Sequence, residues 1–190
     1  MKILNVLFIM MLLPGFLFAG KKDVRNIPRV ARSQAVVDGI ITKGEYPASF
    51  TDDKTGITVY WMADLTNLYC ALQSPGLGWL AVGFGSDGMN GSDMVIAFVD
   101  GKGNWVVEED EGKSFFRHSK YPASKVVAAK AGLAGGKTVM EFCLPLMLSN
   151  GQEITPGKPL PYILAYHQSK TAFSKHSKKS SGLLILTSGQ

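Results

Sequence analysis

The sequence has few of the residues on which most catalytic and metal sites depend. It contains two cysteines and three histidines in 190 residues. It has no Cys-x-x-Cys-His pattern for covalent haem attachment. It also has no Gly-x-Ser-x-Gly elbow and no His-Glu-x-x-His motif. These absences exclude c-type haem attachment and argue against serine-hydrolase and zinc-protease chemistry.

Two other enzyme-like patterns fail on their context. Residues 83–88 fit G-x-G-x-x-G, but neither a helix pattern nor a βαβ unit follows them, so a dinucleotide site is not expected. The acidic run 108–111 is typical of a solvated loop rather than of a catalytic pair. We therefore expect an electron carrier or a ligand-binding domain, not an enzyme.

Long apolar runs are scarce as well. Residues 6–13 form one, preceded by Lys2 and followed by Ala19 and Gly20 just before a lysine pair. This layout is typical of a secretory signal peptide, and the run is too short for a comfortable membrane span. We predict that residues 1–20 are a signal peptide and that the mature protein is secreted or periplasmic without a stable membrane span. An uncleaved N-terminal anchor is the alternative.

Positive charge is present in excess but is not concentrated. The formal net charge is +5, spread along the chain apart from a late cluster of lysines at 170, 175, 178 and 179. A nucleic-acid binder needs a denser basic stripe and usually a recognisable module. We predict no nucleic-acid partner.

Short β-prone runs separated by turns recur about every ten residues after a basic lead-in at 21–33. This spacing predicts one all-β domain over 34–190, a sandwich or barrel with about ten strands. The charged stretch 109–124 is expected to be an irregular surface excursion, and the alanine-rich 125–134 a helical turn or a strand. Cys70 and Cys143 each lie in a predicted strand, and whether they form a disulfide stays open.

The chain is organised around two apolar runs, 79–84 and 94–99, and the glycine-rich loop between them. Met89 is the one large apolar residue in that loop. A thioether between glycines is expected to pack inward or to contact a ligand. Met94 lies in the second run and is read as a core residue.

These runs carry a family resemblance. Gly-Trp-Leu-Ala-Val-Gly-Phe at 78–84 and Met-Asn-Gly-Ser-Asp-Met at 89–94 resemble the strand and loop of the DOMON domain. The resemblance continues upstream through 38–46 and downstream through 140–146 and 173–182, covering about 34–186 in the family's order. It implies an antiparallel, immunoglobulin-like β-sandwich of the DOMON type.

The resemblance also implies a cofactor. Haem-binding members hold a b-type haem between a methionine of the glycine-rich loop and a late histidine, and these positions match Met89 and His176. Met94 is the competing methionine. From the residues alone, His118 is expected to be a solvated surface histidine and His167 a structural one.

Further residues are candidates for the haem pocket. The resemblance makes aromatic side chains candidates for its walls, and lysines candidates for contacts with haem propionates or with an acidic redox partner. The residues predicted to contact the cofactor besides the two ligands are Trp79, Phe84, Phe173 and Lys178.

The implied function is electron transfer. An iron with imidazole and thioether in both axial positions favours electron transfer over oxygen activation. We expect a redox partner protein, such as a membrane cytochrome or a dehydrogenase. The alternative from the same family is a binding module for a sugar or another small ligand, without redox activity.

Overall fold

A computed structural model describes residues 23–189; the predicted signal peptide lies outside the described residues. The described chain is all-β, with twelve strands where the sequence predicted about ten. The strands are β1 (Val24–Ile27), β2 (Ala48–Thr51), β3 (Thr58–Ala63), β4 (Asn67–Gln73), β5 (Leu80–Phe84), β6 (Asp93–Val99), β7 (Trp105–Gly112), β8 (His118–Lys120), β9 (Ala128–Ala134), β10 (Lys137–Pro145), β11 (Pro159–Tyr166) and β12 (Lys178–Leu186).

The strands form two sheets packed face to face. The first has the order β1-β12-β11-β5-β6-β7-β8, and the second has the order β2-β3-β4-β10-β9. Every pairing is antiparallel except that of β1 with β12, which is parallel. The predicted antiparallel β-sandwich is confirmed, and β1 lies within the basic lead-in.

Alternating side chains create the core between the sheets. Because successive residues of a strand point to opposite faces, every second apolar residue of the central strands is buried there. Trp61 and Tyr162 meet edge to face from opposite sheets with ring centroids 5.9 Å apart, and Phe84 meets Phe142 at 6.4 Å. These ring pairs pack the two sheets against each other.

The outer face of the five-stranded sheet is covered by the segment that precedes β2. Tyr46 packs there with Met62 and Ala71. Its hydroxyl donates to Glu141 Oε1 at 3.0 Å, while Glu141 Oε2 accepts from the backbone N–H of Gly39 at 2.7 Å. A buried carboxylate thus fixes the segment before β2 against β10.

The charged stretch 109–124 is not the irregular excursion expected from its polarity. It completes β7, turns, and returns as β8, with Glu111 paired to Ser119. The expectation failed because β7 is an inner strand of the sheet that buries Glu109 and Asp110, whereas of the two only β8 lies at the edge. The alanine-rich stretch forms a strand, β9, rather than a helical turn.

The two cysteines are free. Cys70 pairs with Phe142 and belongs to the core, whereas Cys143 pairs with Tyr69 on the opposite face of the same sheet. Side chains on opposite faces of a sheet cannot be joined by one disulfide without moving the backbone. Separately, no helix in residues 23–189 is long and apolar enough to cross a bilayer.

Candidate functional site

The seven-stranded sheet carries a second apolar cluster on its outer face, which we call the outer-face patch. Its buried members are Trp79, Ala81, Met94 and Ile96. Partly buried apolar side chains surround them, namely Met89, Phe98, Ile163 and Ala165. Outward positions of a sheet usually face water, so an apolar outer face needs a cover or a ligand.

Two loops cover this patch from opposite ends of the sheet. The 85–92 loop joins β5 to β6 where Phe84 pairs with Asp93. The 167–177 loop joins β11 to β12 at the other end, where Tyr166 pairs with Leu80. A flat group lying on the patch would therefore be reached from two directions.

The loop that carries Met89 is anchored by main-chain and amide hydrogen bonds. Ser92 N–H donates to Met89 O at 3.1 Å, and Gly91 N–H donates to Gly112 O at 2.8 Å. A side chain at Gly112 would lie 1.6 Å from Met89 O, so the loop crosses the sheet only because Gly112 has none. Asn150 Nδ2 donates to Gly91 O at 3.2 Å. The loop is thus held close over β7, with Met89 packed on the patch.

The opposite loop contributes Phe173, which lies between two rings. Its centroid is 4.9 Å from that of Trp79 and 4.5 Å from that of His118. Phe173 remains 43% exposed. The predicted wall residues Trp79 and Phe173 are therefore brought together, and a histidine joins them.

His118 is not the solvated surface histidine that its polar sequence context predicts. Its side chain is 21% exposed, packs on Phe173, and its Nδ1 contacts Asp110 Oδ2. Asp110 is 5% exposed and lies opposite Met94 in the β6–β7 ladder. The sequence does hold a signal for this face of the strand. Asp110 and Gly112 are two residues apart, and alternate residues of a strand point to the same face.

Buried polar atoms without partners mark the same region. Within residues 23–189, the Trp79 indole N–H has no acceptor, and Ser174 Oγ and Asp110 Oδ1 have no hydrogen-bond partner. A buried donor without an acceptor costs about 1–3 kcal/mol. A flat apolar group that carries carboxylates fits this arrangement, because its body covers the patch and its carboxylates can accept from the Trp79 N–H and the Ser174 O–H. The residues present therefore fit a b-type haem.

His176 lies at the end of the second loop and is partly buried. Burial, then Lys179 and Lys175, lower its pKa, which favours the neutral imidazole that binds metals. The next residue, Ser177, donates its N–H to Tyr166 O at 2.8 Å, so His176 sits where β12 begins. Within residues 23–189, the histidine ring that packs against Phe173 of the patch is that of His118 rather than His176.

The remaining predicted site residues lie elsewhere. Phe84 is fully buried between the sheets and so lies on the face opposite the patch. Lys178 is exposed and pairs with the inward-facing Tyr166, whereas Lys179 pairs with Ala165 and shares the outer face. Met94 lies in a strand as expected, but in the patch rather than in the core between the sheets.

Beneath the Met89 loop, two carboxyl groups are buried together. Asp93 is 0% exposed and Glu109 is 1% exposed. Asp93 Oδ2 accepts from Ser149 N–H at 2.6 Å, and Glu109 Oε2 accepts from Ser124 Oγ at 2.6 Å. Burial, and then the neighbouring Glu109, raise the pKa of Asp93 to about 7. No group of three or more His, Cys, Asp or Glu side chains in the described residues is placed to hold a metal ion.

The opposite sheet offers a different concavity. A cavity of about 400 Å³ lies on the outer side of the five-stranded sheet. Tyr46 and Tyr60 line it, with ring centroids 6.2 Å apart, together with Lys43 and Ser49. Its aromatic and hydroxyl groups suit a small polar ligand.

Solved structures with a similar fold include two kinds of domain. The cytochrome b domain of pyranose dehydrogenase from Coprinopsis cinerea superposes with a TM-score of 0.51 at 13% identity, covering 71% of this chain and 79% of that one. The cytochrome domain of Myriococcum thermophilum cellobiose dehydrogenase superposes with a TM-score of 0.51 at 13% identity, covering 74% of this chain and 88% of that one. A family 9 carbohydrate-binding module from Caldicellulosiruptor kristjanssonii, in complex with cellotriose, superposes with a TM-score of 0.52 at 11% identity. The match covers 88% of this chain and 95% of that one.

At these identities the likeness concerns the fold. The chain has a β-sandwich fold of the kind seen in the cytochrome b domains of dehydrogenases and in the family 9 carbohydrate-binding module. No protein-family model matches the sequence, and no curated protein sequence matches it.

Proposed function

We propose that this protein is an exported b-type haem protein that transfers electrons and that the haem lies on the outer-face patch. The observation that carries the proposal is the buried Trp79 indole N–H without an acceptor, in an apolar face covered by two loops. The fold shared with cytochrome b domains of dehydrogenases supports it.

In this proposal Met89 and a histidine would hold the haem iron. The family resemblance implies His176, and the patch itself presents His118. A haem held in this way would supply one-electron transfer. The chain's own residues exclude water from the patch and orient the ligands, and Lys179 adds positive charge at its rim. The electrons pass to or from a redox partner protein, and the domain itself is not a catalyst.

The test is a haem titration of the purified protein followed by oxidised and dithionite-reduced spectra. Met89→Ala is compared with Met147→Ala, because Met147 is 46% exposed and outside the patch. We expect a low-spin b-type spectrum in the wild type and in Met147→Ala, and a weakened, high-spin spectrum in Met89→Ala. Failure of the wild type to take up haem would exclude the cytochrome function.

The second candidate function is binding of a sugar, and the cavity beside Tyr46 and Tyr60 favours it. Calorimetric titration with cellotriose tests this function, with Tyr60→Ala as the variant and Tyr69→Ala as the matched control. Binding that Tyr60→Ala abolishes and Tyr69→Ala retains would support a carbohydrate-binding module. Absence of heat with cellotriose and glucose would count against it.

A further inference from the structure

We propose that one end of the sandwich binds reversibly to the surface of an anionic lipid bilayer, and that the turn between β7 and β8 enters the interface. We call this turn, residues 113–117, the aromatic tip. It contains none of the residues of the outer-face patch, and its role does not depend on haem binding. A bilayer surface is thus the docking partner of a domain that is expected to be exported without a membrane span.

The aromatic tip is a hydrogen-bonded turn that presents two adjacent phenylalanines to water. β7 and β8 stay paired up to the turn. Within it, the N–H groups of Lys113 and Ser114 both donate to Arg117 O, at 2.9 and 3.1 Å. Phe115 is 78% exposed and Phe116 is 92% exposed, more than any other large apolar side chain in residues 23–189. The fold therefore keeps two aromatic rings in water, where neither contributes to its core.

The turn lies at the end of the sandwich where β5 finishes. The last residue of β5 pairs with Asp93, and Asp93 in turn pairs with Glu111 near the end of β7. β10 also finishes at this end, because Ser149 in the loop after it donates its N–H to Asp93 Oδ2 at 2.6 Å. β9 begins there, since it runs antiparallel to β10. The turn between β3 and β4 lies alongside, because its Thr66 O accepts from Leu146 N–H at 2.8 Å.

Exposed apolar side chains concentrate at this end, which we call the apolar end. The large apolar side chains exposed there are Leu65, Phe115, Phe116, Val127 and Met147. The opposite end exposes Leu77 and Leu133. Single exposed apolar residues are normal on a protein surface, whereas a set of them in one region marks a site of interaction with a protein or a membrane.

Cations flank the two rings of the aromatic tip. Lys113 and Arg117 are its first and last residues, and the tip contains no acidic residue. Lys113 pairs with Glu111, whereas Arg117 is exposed and forms no ion pair within residues 23–189. A guanidinium can bind a lipid phosphate through two hydrogen bonds. This pattern complements an anionic bilayer, because aromatic rings favour the interface and the phosphates lie around them.

The shape of the aromatic tip favours a bilayer over a protein partner. Both rings belong to a turn at the end of a hairpin, and a protein would have to offer a pocket that fits each of them. The interface of a bilayer is fluid and accepts protruding aromatic side chains without a matching pocket. Two rings and a few cations give only modest attraction, so we expect peripheral, reversible binding.

The experiment measures binding of the purified protein to sucrose-loaded vesicles by sedimentation, without added haem. Vesicles of phosphatidylcholine are compared with vesicles that also contain phosphatidylglycerol. We expect about tenfold tighter binding to the anionic vesicles, because each cation near an anionic surface contributes roughly fivefold. Added salt should weaken this binding, since it screens the attraction between the cations and the phosphates.

Two substitutions in the aromatic tip are each paired with a control. Phe116→Ser is compared with Leu133→Ser, and Arg117→Glu with Lys137→Glu. The controls are exposed and lie beside the turn between β9 and β10, at the opposite end of the sandwich. We expect Phe116→Ser to weaken binding to anionic vesicles about tenfold and Arg117→Glu at least about fivefold. The controls should bind like the wild type, and all four variants should unfold at the same urea concentration as the wild type.

A third variant, Phe116→Trp, tests whether the tip enters the bilayer. Tryptophan also favours the interface, so binding should persist. Lipids with bromine on their acyl chains should quench the fluorescence of this variant more than that of the wild type, whose own tryptophans lie outside the tip.

Absence of wild-type binding to anionic vesicles would overturn the proposal and leave the exposed rings to a protein partner. Equal binding by Phe116→Ser and Leu133→Ser would overturn the assignment to the aromatic tip. So would a Phe116→Trp variant that brominated lipids quench no more than the wild type. Haem uptake is measured separately, so a failure of the proposed haem site changes none of these outcomes.

Discussion

At the scale of single residues, Glu141 shows how one buried carboxylate orders the segment that precedes β2. It is 0% exposed and accepts from Tyr46 OH, Gly39 N–H and Asp38 N–H. The turn at Asp38 and Gly39 needs glycine, whose φ is +88°. Desolvation by burial raises the pKa of Glu141, and these donors offset part of that cost. The segment before β2 therefore depends on one side chain of β10.

We predict that Glu141→Ala destabilises the protein by about 2–4 kcal/mol, because three donors lose their acceptor inside the fold. Glu141→Gln retains an acceptor oxygen and should cost clearly less. Urea unfolding of the three proteins measures both differences. A change below about 0.5 kcal/mol in the alanine variant, the usual range for surface substitutions, would contradict the role given to this residue.

At the scale of elements, the 85–92 loop is held by the loop between β10 and β11. Asn150 Nδ2 bridges Phe84 O at 3.3 Å and Gly91 O at 3.2 Å. Gln152 Nε2 donates to Gly85 O at 3.0 Å. A loop rich in glycine has much conformational freedom to lose, so its order depends on such external bonds.

We predict that Asn150→Ala speeds amide exchange in residues 86–92 about tenfold, since losing its hydrogen bonds to Phe84 O and Gly91 O lowers the free energy of local opening by about 1.4 kcal/mol. Asn67→Ala is the matched control, because its amide bonds only to Thr66 at the surface. Hydrogen exchange followed by mass spectrometry measures both. Equal exchange in the two variants would mean that Asn150 does not hold the loop.

At the scale of the whole molecule, the buried pair Asp93 and Glu109 ties stability to pH. Both carboxyl groups lie inside the sandwich, and no Lys or Arg side chain in the described residues forms a salt bridge with either. Glu111 and the neutral Tyr121 hydroxyl lie beside the same cluster, and burial and these carboxylates raise the pKa of Tyr121. The pKa of Asp93 is raised to about 7, whereas an unfolded aspartate titrates near 4.

We predict that the free energy of unfolding falls as pH rises from about 4 to about 7. In that interval the folded state holds a proton that the unfolded state has released, so raising the pH favours unfolding. The loss is at most about 4 kcal/mol at about 1.4 kcal/mol per pKa unit. Urea unfolding at several pH values should show the slope in wild type and in Asp53→Asn, an exposed control, but not in Asp93→Asn. A wild type whose stability does not decrease over this range would contradict the raised pKa.

The sequence by itself determined the fold class. Alternation of apolar residues is a property of each strand, and it predicted most central strands and the Met89 loop without reference to partners. It missed the edge strands β1, β2 and β8 and left β9 open, because an edge strand is short or weakly patterned and its pairing comes from the neighbouring strand. Phe84 was placed at the pocket because strand alternation alone does not say which sheet face is the core.

The site was decided by the tertiary structure. His118 and Phe173 are far apart in the chain, yet their rings meet because β8 and the 167–177 loop lie against the same sheet face. Asp110 and Met94 become neighbours only through the register of β6 with β7. Such contacts depend on strand order and register, which are set by packing of the whole sandwich rather than by any local pattern.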